Sequence, residues 1–136
     1  MMSDRNRISH WYHCFVDDNM FERFWHGFWK YKTYFSSVAG LISTDFSIYR
    51  DIPEETQIRN CYRNRVMAYA MQKLNPNIIP TAGFGGENTW EWCFDGLPHN
   101  STVGLPQTVH YLPLKHEDFL LVESMPWSTL LNPMLW

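Results

Sequence analysis

Gly40-Leu-Ile-Ser-Thr-Asp45-Phe-Ser-Ile-Tyr-Arg-Asp51-Ile-Pro53-Glu54 runs on through Arg59, Tyr62, Arg63 and Arg65 to Leu74. A short apolar run breaks off at Asp45 and a brief loop follows. Asp51, with Glu54 three residues later, then opens a long helical pattern, and Pro53 stands in the first turn, where a missing N–H costs nothing. The stretch therefore reads as strand, loop and helix. It puts one acid at the carboxyl end of a strand and arginines on the helix behind it. By the 100° per residue rule Ile58, Tyr62, Val66, Tyr69 and Ala70 fall on one side of that helix, which is expected to be its packed side. Arg65 projects just off this stripe, while Arg59, Asn60, Arg63 and Asn64 lie towards the other side. A guanidinium so close to an apolar stripe must reach water or find a carboxylate, so Arg65 is expected to hold a buried acid.

Upstream, Trp11-Tyr-His-Cys-Phe-Val16 is rich in aromatic and β-branched residues and ends at Asp17-Asp18-Asn19, as a buried first strand would. Asn19 and Glu22 have the spacing of a capping box, and Phe21, Phe24, Trp25, Phe28 and Trp29 recur at helical spacing, with Gly27 as a weak point. Val38 to Ser43 is the second strand. Asn75-Pro76-Asn77 stops the second helix, Ile78 to Thr81 is a third strand, and Ser101 to Leu105 a fourth. Trp90 to Phe94 is open between a helical turn and a strand. Strands alternating with helices over connections of this length predict an α/β fold: a small, mostly parallel sheet of about four strands with flanking helices. Ligands gather at the carboxyl ends of such strands. Asp17, Asp18, Asp45 and the Gly83-Phe-Gly85-Gly86 loop are expected there, with Asp95 nearby. From Leu112 an apolar tail, broken by Pro113, Pro126 and Pro133, either closes over the sheet or docks on another chain. The division expected is a flexible segment at 1–10 and one domain at 11–136.

A chain of 136 residues fits a single domain able to bury a sizeable core without staples. Aromatic residues make up 17% of it, more than so small a core ordinarily takes, so some rings are expected at a contact surface. A net charge of −3 gives no global field favouring nucleic acid or an anionic membrane, and neither is expected as a partner. Cys14, Cys61 and Cys93 are widely spaced with no CxxC, which suits reduced thiols in a cytoplasmic setting. The amino-terminal residues lack the apolar core of a signal peptide, and no window reaches the length of a membrane span.

Few motifs carry chemistry. The six histidines show no metal spacing, the glycine loop matches neither the P-loop nor the dinucleotide fingerprint, and Ser47 and Ser101 lack a nucleophile-elbow context. No metal site and no cofactor is expected. Asp45 caps its own loop and pairs with Arg65 as scaffolding, or it forms with Arg63 or Arg65 a seat for an anionic ligand.

Four ordered motifs resemble one family. They are Phe15-Val-Asp17-Asp18 with Phe21-Glu22-Arg23, Ser43-Thr-Asp45-Phe46-Ser47-Ile-Tyr49, Asn60-Cys-Tyr62-Arg63-Asn-Arg65, and Trp92-Cys-Phe94-Asp95-Gly96-Leu-Pro98 with Asn100-Ser101. Together they are similar to the domain-of-unknown-function family 4417, over roughly residues 11–105, with a divergent tail at 106–136. That family is common in bacteria, phages and integrative elements and brings no established activity. The resemblance implies a phage or mobile-element accessory protein, and with the surplus aromatics it suggests one that binds a host or defence protein. Trp90, Trp92, Trp127 and Trp136 are the candidate contact residues, and the tail a route to a homo-oligomer. The competing reading is an enzyme acting on a nucleotide or nucleic-acid end. In it Asp45 and Asp95 are the catalytic carboxylates, a divalent metal is allowed, and Arg63, Arg65, Asn60, Ser47 and Ser101 bind the ligand.

Overall fold

The computed structural model describes residues 10–106. Strand β1 (Trp11–Cys14) leads into helix α1 (Asp18–Gly27), a 3₁₀ turn (Phe28–Tyr31) and helix α2 (Lys32–Ser37). Strand β2 (Gly40–Thr44), helix α3 (Glu54–Gln72) and strand β3 (Ile78–Ile79) follow, and a second 3₁₀ turn (Glu87–Thr89) opens the Trp90 region. The sheet has the order β1-β2-β3, and both pairings are parallel. Each strand returns alongside its predecessor through helices, because parallel neighbours cannot be joined by a tight turn.

The expected fourth strand is reduced to one parallel bridge, Thr81 to Gly104, with Ala82 N–H donating to the Gly104 carbonyl at 2.8 Å and Gly104 N–H to the Pro80 carbonyl at 2.8 Å. Pro80 has no N–H with which to extend the ladder. A Cβ on Gly104 would stand 2.7 Å from Ile42 Cγ2, so only glycine lets this backbone lie against the sheet. The described sheet therefore has three strands rather than about four. The apolar tail, Trp127 and Trp136 with it, and most of the 1–10 segment lie outside the described residues.

Local signals account for some boundaries and miss others. The first helix starts at Asp18 with Asp17 in the capping position, and no side chain caps it. The capping box read from Asn19 and Glu22 does not form, since Glu22 is drawn to Arg63. Gly27 does end the helix, and the backbone tightens into the 3₁₀ turn there. Helix α3 begins at Glu54, with Pro53 rather than Asp51 in the capping position. Glu54 and Glu55 in its first turn interact favourably with the positive end of the helix dipole.

The main core gathers Cys14, Leu41 and Ile78 from the strands, Phe21 and Phe35 from α1 and α2, Phe46, and Met67 and Met71 from α3. Phe21 meets Phe46 edge-on with ring centroids 4.7 Å apart, and Phe28 stacks on Phe35 at 5.2 Å. A smaller cluster of Ile48, Cys61 and Cys93 lies under Phe84, Trp90, Trp92 and Phe94.

The orientation of α3 reverses the expectation. Its buried side carries Gln57, Asn60, Cys61, Arg63, Asn64, Met67, Ala68 and Met71. Of the apolar stripe, Ile58, Tyr62 and Tyr69 face water at 46%, 62% and 61% exposure, while Val66 and Ala70 are half-buried. The amides turn inward because they have backbone to satisfy. Asn64 accepts from Phe46 N–H at 2.7 Å and donates to the Phe46 carbonyl at 3.0 Å, and Asn60 donates to the Ser47 carbonyl at 2.7 Å. The segment after β2 has left the sheet ladder, so its buried polar groups need side-chain partners.

Candidate functional site

Where β1 and β2 end, two loops diverge and leave an open cleft of about 460 Å³. Asp17, Asp18 and Asp45 face it, with Phe15, Val16, Ser47 and Tyr49 making up the rest of its wall. This is the carboxyl edge of a parallel sheet, where strand polarity collects loop side chains on one rim. Asp18 is fixed there: Ser47 Oγ donates to it at 2.9 Å and Ser47 N–H at 3.1 Å. Ser47 is held in turn by Asn60, so α3 sets the position of an α1 carboxylate through the intervening loop. Gly83 approaches from the third side, where a Cβ would come 3.4 Å from Asp45 Oδ1.

The Asp45 carboxyl is pushed up to about 7, chiefly by burial and further by the Asp18 carboxylate beside it. A carboxyl in that state can give or take a proton near neutrality. Among the described residues no group of three or more His, Cys, Asp or Glu side chains is arranged to hold a metal ion.

The other residues singled out from the sequence lie elsewhere. Arg63 is buried, and its guanidinium lies over the Phe46 ring, 3.4 Å from the centroid, with the Trp25 ring at 5.2 Å. Its Nη2 pairs with Glu22 Oε2 at 2.5 Å, and hydrogen bonding from Arg63 holds the Glu22 carboxyl below its ordinary range. Arg65 finds carbonyls where a carboxylate was expected. It donates from Nε to Asp95 O at 2.8 Å, from Nη1 to Thr81 O at 2.7 Å and from Nη2 to Cys93 O at 2.5 Å. Three forked donors thus tie α3, the end of the sheet and the Trp90–Asp95 turns together. Asp95 meets Arg65 through its backbone, and its exposed side chain lies outside the cleft wall, as does exposed Ser101.

Trp90 and Trp92 are half-buried against the smaller cluster. The three cysteines are free and buried, with the thiols of Cys14 and Cys93 pushed up to about 12, mainly by burial. Among the described residues no helix is long and apolar enough to cross a membrane.

Two features escaped sequence reading. The first is the amide pair Asn60 and Asn64, one turn apart on a helix interior where amides are otherwise unfavourable, which is itself a sign that they have backbone to bind. The second is the outward strip of α3. Ile58, Tyr62, Val66 and Tyr69 run along it, with Trp25 edge-on to Tyr62 at 6.5 Å between centroids.

The Gene 1 protein of Mycobacterium phage D29 is 32% identical over 93 residues, 68% of this chain and 34% of that protein. The Gene 1 protein of Mycobacterium phage L5 is 33% identical over 93 residues, 68% of this chain and 41% of that protein. The chain thus spans well under half the length of these phage relatives. No solved structure matches it. The family described as Domain of unknown function (DUF4417) matches residues 2–129, nearly the whole sequence, and the chain belongs to that family.

Proposed function

We propose that this protein works by binding another protein, and that the outward face of α3 is where the partner sits. One observation carries the reading: the helix turns its amides inward and leaves Ile58, Tyr62 and Tyr69 in water. Scattered apolar residues on a surface are ordinary, whereas a continuous strip at helical spacing marks a contact surface. Tyrosine suits that role, since it offers a large rigid ring and a hydroxyl at little cost in entropy. The phage setting of the relatives supports a role in the cytoplasm of a host cell.

A photo-cross-linking residue in place of Tyr62, in the full chain expressed in a bacterial host, tests this. One identified protein adduct at that position, absent when the same residue replaces Glu87, is the result expected. Equal labelling at both positions, or none at position 62, overturns the proposal.

A second reading is favoured by the cleft, where a largely buried carboxyl with a pKa of about 7 forms part of the wall beside two more acids. It is acid–base chemistry with Asp45 as the proton carrier. Such a site suits a neutral or cationic substrate better than a nucleotide. Its wall carries three carboxylates and no cation, and Arg63 and Arg65 are engaged elsewhere. A folded Asp45→Asn variant that keeps full biological activity removes this second reading.

A further inference from the structure

The apolar strip on α3 has charged ends of opposite sign. At 100° per residue, Glu55 in the first turn and Lys73 just past the last lie on the same line as Tyr62, with Ile58, Val66 and Tyr69 between them, all within about 100° of arc. Arg59 flanks the strip. Glu55, Arg59 and Lys73 are all exposed, and the Lys73 ammonium already lies along the strip, 4.7 Å from the Tyr69 ring centroid. One helix face therefore carries an acid, an apolar middle and a base, in that order.

That order is self-complementary in one direction only. We propose that the outward face of α3 pairs antiparallel, about a two-fold axis, with the same face of a second copy of this chain. This rests on the protein-binding reading and names the chain seated there. With the axis between Tyr62 and Val66, Glu55 of each copy faces Lys73 of the other. Tyr62 of each copy then lies against Val66 of the other. The two helix dipoles also run opposite ways. A parallel arrangement would set Glu55 on Glu55 and Lys73 on Lys73.

Helix α3, at 19 residues and roughly 28 Å, offers a narrow strip that the adjoining Trp25 widens. Its area is at the small end of specific interfaces, so the dimer dissociates on dilution.

Sedimentation of the full chain over a range of concentrations tests the proposal, with circular dichroism as the check on folding. Wild type is expected to shift from monomer to dimer as concentration rises. Glu55→Lys alone, and Lys73→Glu alone, each place like charges opposite one another at both ends and are expected to weaken association about tenfold. An equimolar mixture of those two single variants restores opposite charges at both ends, and is expected to associate as wild type does. A wild-type chain that stays monomeric overturns the proposal. So does a dimer indifferent to both substitutions, or a mixture no tighter than its components. If wild type stays monomeric while position 62 cross-links to a different protein, this inference fails and the protein-binding reading stands. If position 62 cross-links to nothing, both fail.

Discussion

The two faces of α3 differ in a way that composition alone would have assigned backwards. The inner face holds Asn60, Asn64 and Arg63 among Met67, Ala68 and Met71, whereas the outer face holds Ile58, Tyr62 and Tyr69. Helices are expected to bury their apolar stripe, because each square ångström of apolar surface removed from water contributes about 25 cal/mol. Here that gain competes with the cost of leaving the Phe46 and Ser47 backbone unsatisfied in the interior, about 1–3 kcal/mol for each polar group. Two asparagines remove that cost, and Met67, Ala68 and Met71 still supply apolar contact on the same side. A buried face is thus chosen by what its neighbours lack as well as by its own hydrophobicity.

The largest effect is expected from removing the inner amide that serves two backbone groups at once. Asn64→Leu keeps the volume and strips both hydrogen bonds from Phe46, whose N–H and carbonyl have no water to turn to. A loss of about 3 kcal/mol in chemical unfolding is expected, from two buried groups left unpaired. A loss below about 1 kcal/mol would mean that the inner amides do not fix the orientation of the helix.

Arg65 comes next, on the flank between the two faces. Arg65→Met retains the aliphatic stem but leaves the carbonyls of Thr81, Cys93 and Asp95 without their donor. The expected loss is about 2 kcal/mol, less than for Asn64 because the Asp95 carbonyl belongs to an exposed residue and the Cys93 carbonyl keeps the Cys61 thiol as a second donor at 3.6 Å. The loss should be accompanied by faster hydrogen exchange through the Trp90–Asp95 turns than in β2. Uniform exchange throughout would deny that Arg65 ties that segment down.

The architecture was legible in the sequence because it rests on short-range patterns. Trp11 to Val16, Val38 to Ser43 and Ile78 to Thr81 are compact apolar runs separated by lengths only helical crossovers fill, and all their pairings are parallel. Asp17, Asp18 and Asp45 share one cleft for the same reason, since strand direction alone sends them to one rim. The partners of Arg63 and Arg65 were not legible. A guanidinium can donate to a carboxylate or to a set of carbonyls, and Glu22 and the Thr81, Cys93 and Asp95 carbonyls come from segments far apart in the chain. Nor could periodicity say which side of α3 was inside. That depended on the backbone of Phe46 and Ser47 lacking partners, a property of the assembled fold.

Substitution of Asp45 is expected to have an effect of the opposite sign. It precedes the segment pinned by the inner face, and its carboxyl takes a proton near pH 7 in the folded protein. The unfolded chain releases that proton near the ordinary value of about 4. Between those two values the folded state binds more protons than the unfolded one, so stability falls as pH rises through that window. Asp45→Asn has no such dependence. It is expected to be the more stable protein above pH 7, by about 1–2 kcal/mol after allowing for partial exposure, with the gap closing towards pH 4. Melting temperatures at pH 4.5 and pH 8 decide this. A gap of the same size at both would show that Asp45 is not the group carrying the raised pKa.

The smallest effect belongs to the outer face, and its smallness is informative. Tyr62→Gln removes a ring that is 62% exposed and touches Trp25 only at its edge. In a dilute solution of monomers it should change unfolding free energy by no more than about 0.5 kcal/mol, as surface substitutions do. At high concentration the same substitution should lower the melting temperature relative to wild type, because association stabilises only the folded chain. A residue whose removal costs nothing when the chain is alone and something when it is crowded with copies of itself belongs to an interface. If Tyr62→Gln instead costs more than about 1.5 kcal/mol at high dilution, the strip is part of the fold's own packing with Trp25. The inner and outer faces of α3 would then differ in chemistry but not in purpose.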